Sequence, residues 1–172
     1  MPPRSLAEQT EEQLGGRRSV LSRQKRDHVE LDRLIRKAEH ASGHDREAVL
    51  NDLCRLVFPH AFAEEAVLWP AIRRRLADGE QLTLEIEKEH QAINELFTSL
   101  ETLDVDSDEH HRLFAEIVRL LREDVRDEED VLLPRLQEAT DRDDLIRLGT
   151  RCRSSDPPLP HDRTRWWPVG PR

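Results

Sequence analysis

Two stretches of the chain match position by position. His60-Ala-Phe-Ala-Glu64-Glu65-Ala-Val67-Leu68-Trp69-Pro70 aligns with Asp124-Val-Arg-Asp-Glu128-Glu129-Asp-Val131-Leu132-Leu133-Pro134. Upstream of each lies a second matching pair, His28-Val-Glu-Leu31-Asp32-Arg-Leu34 and His90-Gln-Ala-Ile93-Asn94-Glu-Leu96. The spacing repeats as well: 32 residues from His28 to His60, and 34 from His90 to Asp124. Apolar residues in both copies recur at helical intervals, so each copy reads as a helical hairpin. Closing two hairpins into one bundle turns equivalent residues toward a shared interior.

Composition agrees with helix. Charged residues make up 37% of the chain, aromatics 4%, and Gly only 6 positions. Leu, Glu, Arg and Ala dominate over β-branched residues. The apolar pattern predicts helices over about 19–41, 45–76, 80–103 and 108–139, with Asp45 as an N-cap and room for a short fifth helix over 141–151. The expected architecture is all-α: an up-down-up-down antiparallel four-helix bundle over 17–152. It is flanked by a flexible polar arm over 1–16 and a Pro/Arg-rich tail over 153–172. Pro59 falls inside a helical pattern, where it either kinks the helix or breaks it.

Charge and cysteine content narrow the function classes. A net charge of −9 disfavours general nucleic-acid binding, which needs a surplus of Lys and Arg. No run approaches transmembrane length and the N-terminus lacks an apolar leader, so the expected address is the cytoplasm, with no membrane partner. Cys54 sits in an apolar stripe and Cys152 near the tail, and no CxxC pair offers a thiolate metal site. The Trp166-Trp167 pair in the tail is a candidate contact for a protein partner; otherwise the tail is disordered or the pair simply packs on the bundle.

The repeat places chemistry at corresponding points. His60 and Glu64 are one helical turn apart on one face, and Asp124 and Glu128 repeat the arrangement. His28 and His90 come from the other two helices. Imidazole and carboxylate donors from all four helices suit iron, manganese or zinc. Glu65 and Glu129 are either alternative ligands or carboxylates outside the ligand set. Glu87 and His90 form a Glu-x-x-His pair of the ferritin-like kind, but its counterpart is missing. His40, His44, His110, His111 and His161 lie at predicted helix ends, in turns or in the tail, where solvated roles are expected.

These residues resemble the HHE cation-binding motif of the hemerythrin-like family. That motif is a His on the first helix, then His-x-x-x-Glu-Glu, an apolar pair, an apolar or aromatic residue and Pro, all repeated once. The resemblance covers about residues 19 to 151. The second copy departs from it, because Asp124 stands where the family usually has His. Asn94 also replaces a histidine of the oxygen carriers. The resemblance implies a helical bundle holding two iron ions, oxo- or carboxylate-bridged. His28, His60 and His90 would be terminal ligands, Glu64 and Glu128 bridges, and Asp124 a terminal carboxylate. The implied partners are oxygen, peroxide or nitric oxide. The added carboxylate favours redox turnover over oxygen carriage, with catalase-like peroxide removal as the leading activity. A non-catalytic oxygen, nitric-oxide or iron sensor, or an iron-binding module, is the alternative.

Overall fold

The computed structural model describes residues 4–155. Among the described residues there is no strand. After a short 3-10 turn at Leu6–Glu8 come α1 (Val20–His40), α2 (Gly43–Ala63), π1 (Glu64–Leu68), α3 (Trp69–Arg75), α4 (Gly79–Leu100), α5 (Asp108–Asp127), π2 (Glu128–Leu132), α6 (Leu133–Glu138) and α7 (Arg142–Ser154). The segments α2, π1 and α3 run on without a break, as do α5, π2 and α6. The result is a helical bundle in which α1 packs on α2 and α7, and α4 packs on α5 and α3.

Local chemistry explains the starts. Ser19, Ser107 and Asp141 cap α1, α5 and α7 by accepting from the N–H of Leu21, His110 and Asp144 at 3.2, 3.1 and 2.8 Å. Such caps contribute about 1 kcal/mol each. Asp45 is not an N-cap. Gly43 N–H donates to Asp106 Oδ1 at 2.9 Å, which starts α2 earlier and leaves Asp45 in its first turn.

The two π turns follow from the two prolines. A proline at 70 inside an α-helix would meet the carbonyl four residues back with no N–H to give it. Widening the turn relieves this. Trp69 N–H donates to Glu64 O, and Leu133 N–H to Glu128 O, each five residues back. Pro70 and Pro134 then fall in the first turn of α3 and α6, where a missing N–H costs nothing. Pro59 does not break its helix; α2 runs through it to Ala63.

The apolar core has two parts. One joins Leu6, Leu14, Leu21, Leu68, Trp69, Ile72, Ile86, Leu132 and Leu145. The other joins Leu31, Ile35, Leu53, Phe58, Ile93, Phe97, Ile117 and Leu121. Along every long helix the break between the two parts falls at a polar residue: His28 in α1, His60 and Glu64 at the end of α2, His90 in α4, and Asp124 and Glu128 at the end of α5.

Several expectations are corrected. The arm is not flexible over its described part. Leu6 and Leu14 are fully buried, and Lys25 Nζ donates to the carbonyls of Ala7 and Gln9 at 2.8 and 2.6 Å. Isolated leucines in a polar stretch carry no periodic signal, so the pattern misses them. The last helix, α7, runs to Ser154. His110 is buried at 3% exposure and has a lowered pKa, from burial first and then from Arg46. The capped first turn of α5 aims it inward. Cys54 is buried, which pushes its thiol up to about 12 and makes it unreactive. Trp166 and Trp167 lie outside the described residues. Among the described residues no helix is long and apolar enough to cross a membrane.

Candidate metal centre

All six sequence-predicted residues converge between the two apolar clusters. One donor atom from each of His28, His60, Glu64 and Glu128 lies within 4.8 Å of the others. His90, Asp124 and Glu128 form a second group by the same measure, so Glu128 belongs to both. Glu64 also reaches both sides: Oε1 is 2.9 Å from His60 Nε2, and Oε2 is 3.6 Å from His90 Nε2. His90 Nε2 is likewise 3.6 Å from Asp124 Oδ1, and His28 Nε2 is 3.2 Å from Glu128 Oε2.

Each histidine is oriented from behind. Nδ1 of His28 lies 2.9 Å from Glu129 Oε1, Nδ1 of His60 3.1 Å from Asp27 Oδ2, and Nδ1 of His90 3.0 Å from Glu65 Oε1. A carboxylate at Nδ1 holds the proton there and turns Nε2 inward as a donor for a cation. Glu65 and Glu129 each sit behind the donor cluster, on the histidine of the opposite hairpin. Asp27 does the same work and was missed by the sequence, as was Gln24, which is buried and donates to Glu64 Oε1. Trp69 covers His90 in a stacked arrangement, with ring centroids 6.2 Å apart. Glu87 is held by Arg73 at 2.6 Å and belongs to neither donor group.

The electrostatics show a site that lacks enough positive charge. Burial opposes a charged His28, but Glu128 and Glu129 outweigh it and raise its pKa to about 9. Burial likewise opposes charge on His60 and His90. Glu64 and Asp27 raise the first well above its ordinary value, and Asp124 and Glu65 raise the second. Burial first, then the charges of Glu64 and Asp124, push Glu128 up to about 8. Glu64 goes the other way despite its burial, drawn down by His60.

Buried polar atoms without partners show where a cation fits. His28 Nε2, Glu64 Oε2, Asp124 Oδ1 and both oxygens of Glu128 make no hydrogen bond. The 3.2 Å approach of His28 to Glu128 is thus a charge contact, not an aligned hydrogen bond. Burying such groups costs several kcal/mol per ion unless something compensates. Cations placed in the two donor groups would satisfy these atoms, and imidazole with carboxylate suits a borderline or hard metal.

A cavity of about 160 Å³ lies against this cluster. His28, His60, His90 and Asp124 form part of its wall, with Phe58 and Ile93 among its apolar residues. Asn94 also lines it. The arrangement gives a small molecule an apolar approach to the buried donors.

The profile of the hemerythrin HHE cation-binding domain matches residues 19–136. That span contains every residue of the cluster. Among solved structures, one similar fold is a hemerythrin HHE cation-binding domain-containing protein from Mycobacterium kansasii. It shares 19% identity at a TM-score of 0.70, over 79% of this chain and 83% of that one. No curated protein matches.

Proposed function

The chain belongs to the hemerythrin HHE cation-binding family, and from that premise we propose that it is a non-haem di-iron protein that removes hydrogen peroxide. The observation that carries this reading is the pair of buried donor groups sharing Glu128. His28 and His60 would hold one ion, and His90 and Asp124 the other. Glu64 and Glu128 would bridge them within an up-down-up-down bundle. Two iron ions supply redox cycling for a reaction that converts two peroxide molecules to one oxygen and two waters.

The chain's own residues set the conditions. Glu129, Asp27 and Glu65 hold the Nδ1 protons and keep the three rings fixed. Phe58 and Ile93 keep the approach apolar, which suits a small uncharged molecule. Asp124 in place of imidazole adds negative charge, which favours the more oxidised metal and so turnover rather than reversible carriage.

Metal analysis after iron-replete expression tests the first step: about two irons per chain are expected, and fewer than one overturns the reading. Oxygen release on adding peroxide tests the second. An iron-loaded sample that releases none is a binding module or sensor instead.

A further inference from the structure

A second charged feature lies away from the metal cluster. A cleft of about 470 Å³ is lined by Arg17, Arg18, Arg23, Arg26, Gly149 and Arg153. Five guanidiniums share one hollow in a chain whose net charge is −9. Like charges repel, so such a cluster persists only where another demand maintains it.

Packing builds the cleft. A Cβ on Gly149 would lie 2.3 Å from Arg18 O and 2.9 Å from Val20 N. Only glycine lets α7 lie this close to the turn that starts α1. That contact sets Arg153, one helical turn beyond Gly149, beside Arg17 and Arg18. Two of the five are held in place. Arg23 Nε is 3.6 Å from Asp27 Oδ2, and Arg26 reaches Glu11 at 2.9 Å and Arg17 O at 3.1 Å. Arg17, Arg18 and Arg153 are exposed and have no carboxylate partner among the described residues. Arg17, Arg18 and Arg153 thus bring three positive charges that no carboxylate among the described residues offsets.

We propose that this cleft binds a compact oligophosphate, a pyrophosphate group free or as part of a small molecule. Guanidinium forks match phosphate oxygens in pairs, and anchored arginines lose little freedom on binding. Each phosphate carries about 1.5–2 negative charges, so two linked phosphates match the three charges of Arg17, Arg18 and Arg153. The volume lies within the ordinary range for small-molecule sites, roughly 300–1,000 Å³. The acidic remainder of the surface repels an extended polyanion such as nucleic acid.

The test is calorimetric titration of the full-length protein with pyrophosphate at low salt. Saturable binding is expected, tighter than that of inorganic phosphate. Replacing Arg17, Arg18 and Arg153 together by Gln should weaken it at least 100-fold, about tenfold for each lost charged contact. These side chains are exposed, so the helical circular dichroism should not change. The variant Glu128→Gln, which alters the metal cluster alone, should keep the affinity. No saturable binding, an unchanged affinity in the arginine variant, tighter binding of duplex DNA, or loss of binding in Glu128→Gln would each overturn the proposal. Loss in Glu128→Gln would place pyrophosphate on the metal.

Discussion

The two halves of the metal cluster support their first histidine alike and differ most at one pair of donor positions, His60 and Asp124. In each half a histidine is oriented by a glutamate from the opposite hairpin: His28 by Glu129 and His90 by Glu65. The residue before each of these histidines is acidic, Asp27 in one half and Glu89 in the other. Asp27 has a partner, because His60 presents Nδ1 to it. Glu89 has none. The position equivalent to His60 is Asp124, which cannot donate, and Glu89 Oε2 is buried without a hydrogen bond. Its pKa is raised by burial first and then by the charges of Asp124 and Asp127. A single exchange of His for Asp therefore changes a candidate donor and also removes the partner of the carboxylate behind it.

The largest effect should come from the residue both halves share. Glu128→Gln removes a charge that both donor groups use. Bound metal should fall from about two ions to one or fewer, measured by elemental analysis. The metal-free protein should move the other way and gain about 1–3 kcal/mol, because a buried carboxylate facing Glu64 and Asp124 is costly without a cation. Thermal unfolding of the metal-free variant checks this, and a loss of stability would mean that Glu128 is structural.

The second effect is one of pH. His28 ordinarily titrates near 6.5 and is raised to about 9 in the metal-free fold. Its contribution to stability is fully present below 6.5 and lost as pH rises through about 9. Glu128 acts in the same direction, because the folded chain keeps up to about 8 a proton that the unfolded chain releases near 4.5. Metal-free stability should thus begin to fall near pH 4.5, fall most steeply from 6.5 to about 8 where both groups act, and level off near 9. Metal binding must displace these protons, so affinity should rise about tenfold per pH unit for each proton displaced. The gain in Tm on adding metal should therefore grow across the window in which the metal-free Tm declines.

A smaller effect comes from the carboxylate behind His60. Asp27→Asn keeps the shape but weakens the hold on the His60 ring. Metal affinity should fall 10- to 100-fold, roughly the usual loss when such a partner is changed. Competition with a chelator of known affinity measures it, and a loss below about threefold would show that His60 is held by its packing alone.

These supporting groups are where the sequence runs out. The residues of the cluster were legible because His60–Glu64 and Asp124–Glu128 keep helical spacing and recur in two copies. The all-helical bundle was legible because the apolar stripes are long and regular. Asp27 was not, since its partner lies on another helix and an acidic residue beside a histidine is ordinary in so charged a chain. Gln24 left a trace: a polar residue one turn before His28, in line with Leu21 and Leu31. The π turns were signalled only by Pro70 and Pro134, whose missing N–H groups ask for a change of register without saying which. The buried arm was illegible because Leu6 and Leu14 are isolated in sequence and meet the core only in three dimensions.

The smallest single effect is also the sharpest test of the comparison. Glu89 has no donor to lose, so Glu89→Gln should change metal affinity by less than about threefold, since no ligand loses its supporting partner. Asp124→His should change the visible spectrum of the iron centre and, at the same time, give Glu89 a ring Nδ1 to hold. In that background Glu89→Gln should become costly, about tenfold in metal affinity, because a supporting carboxylate now matters. The difference between the two Glu89→Gln effects is a coupling that the double-mutant cycle isolates. Equal effects in both backgrounds would show that Glu89 cannot reach position 124, and the two halves would then differ in backbone as well as in one side chain.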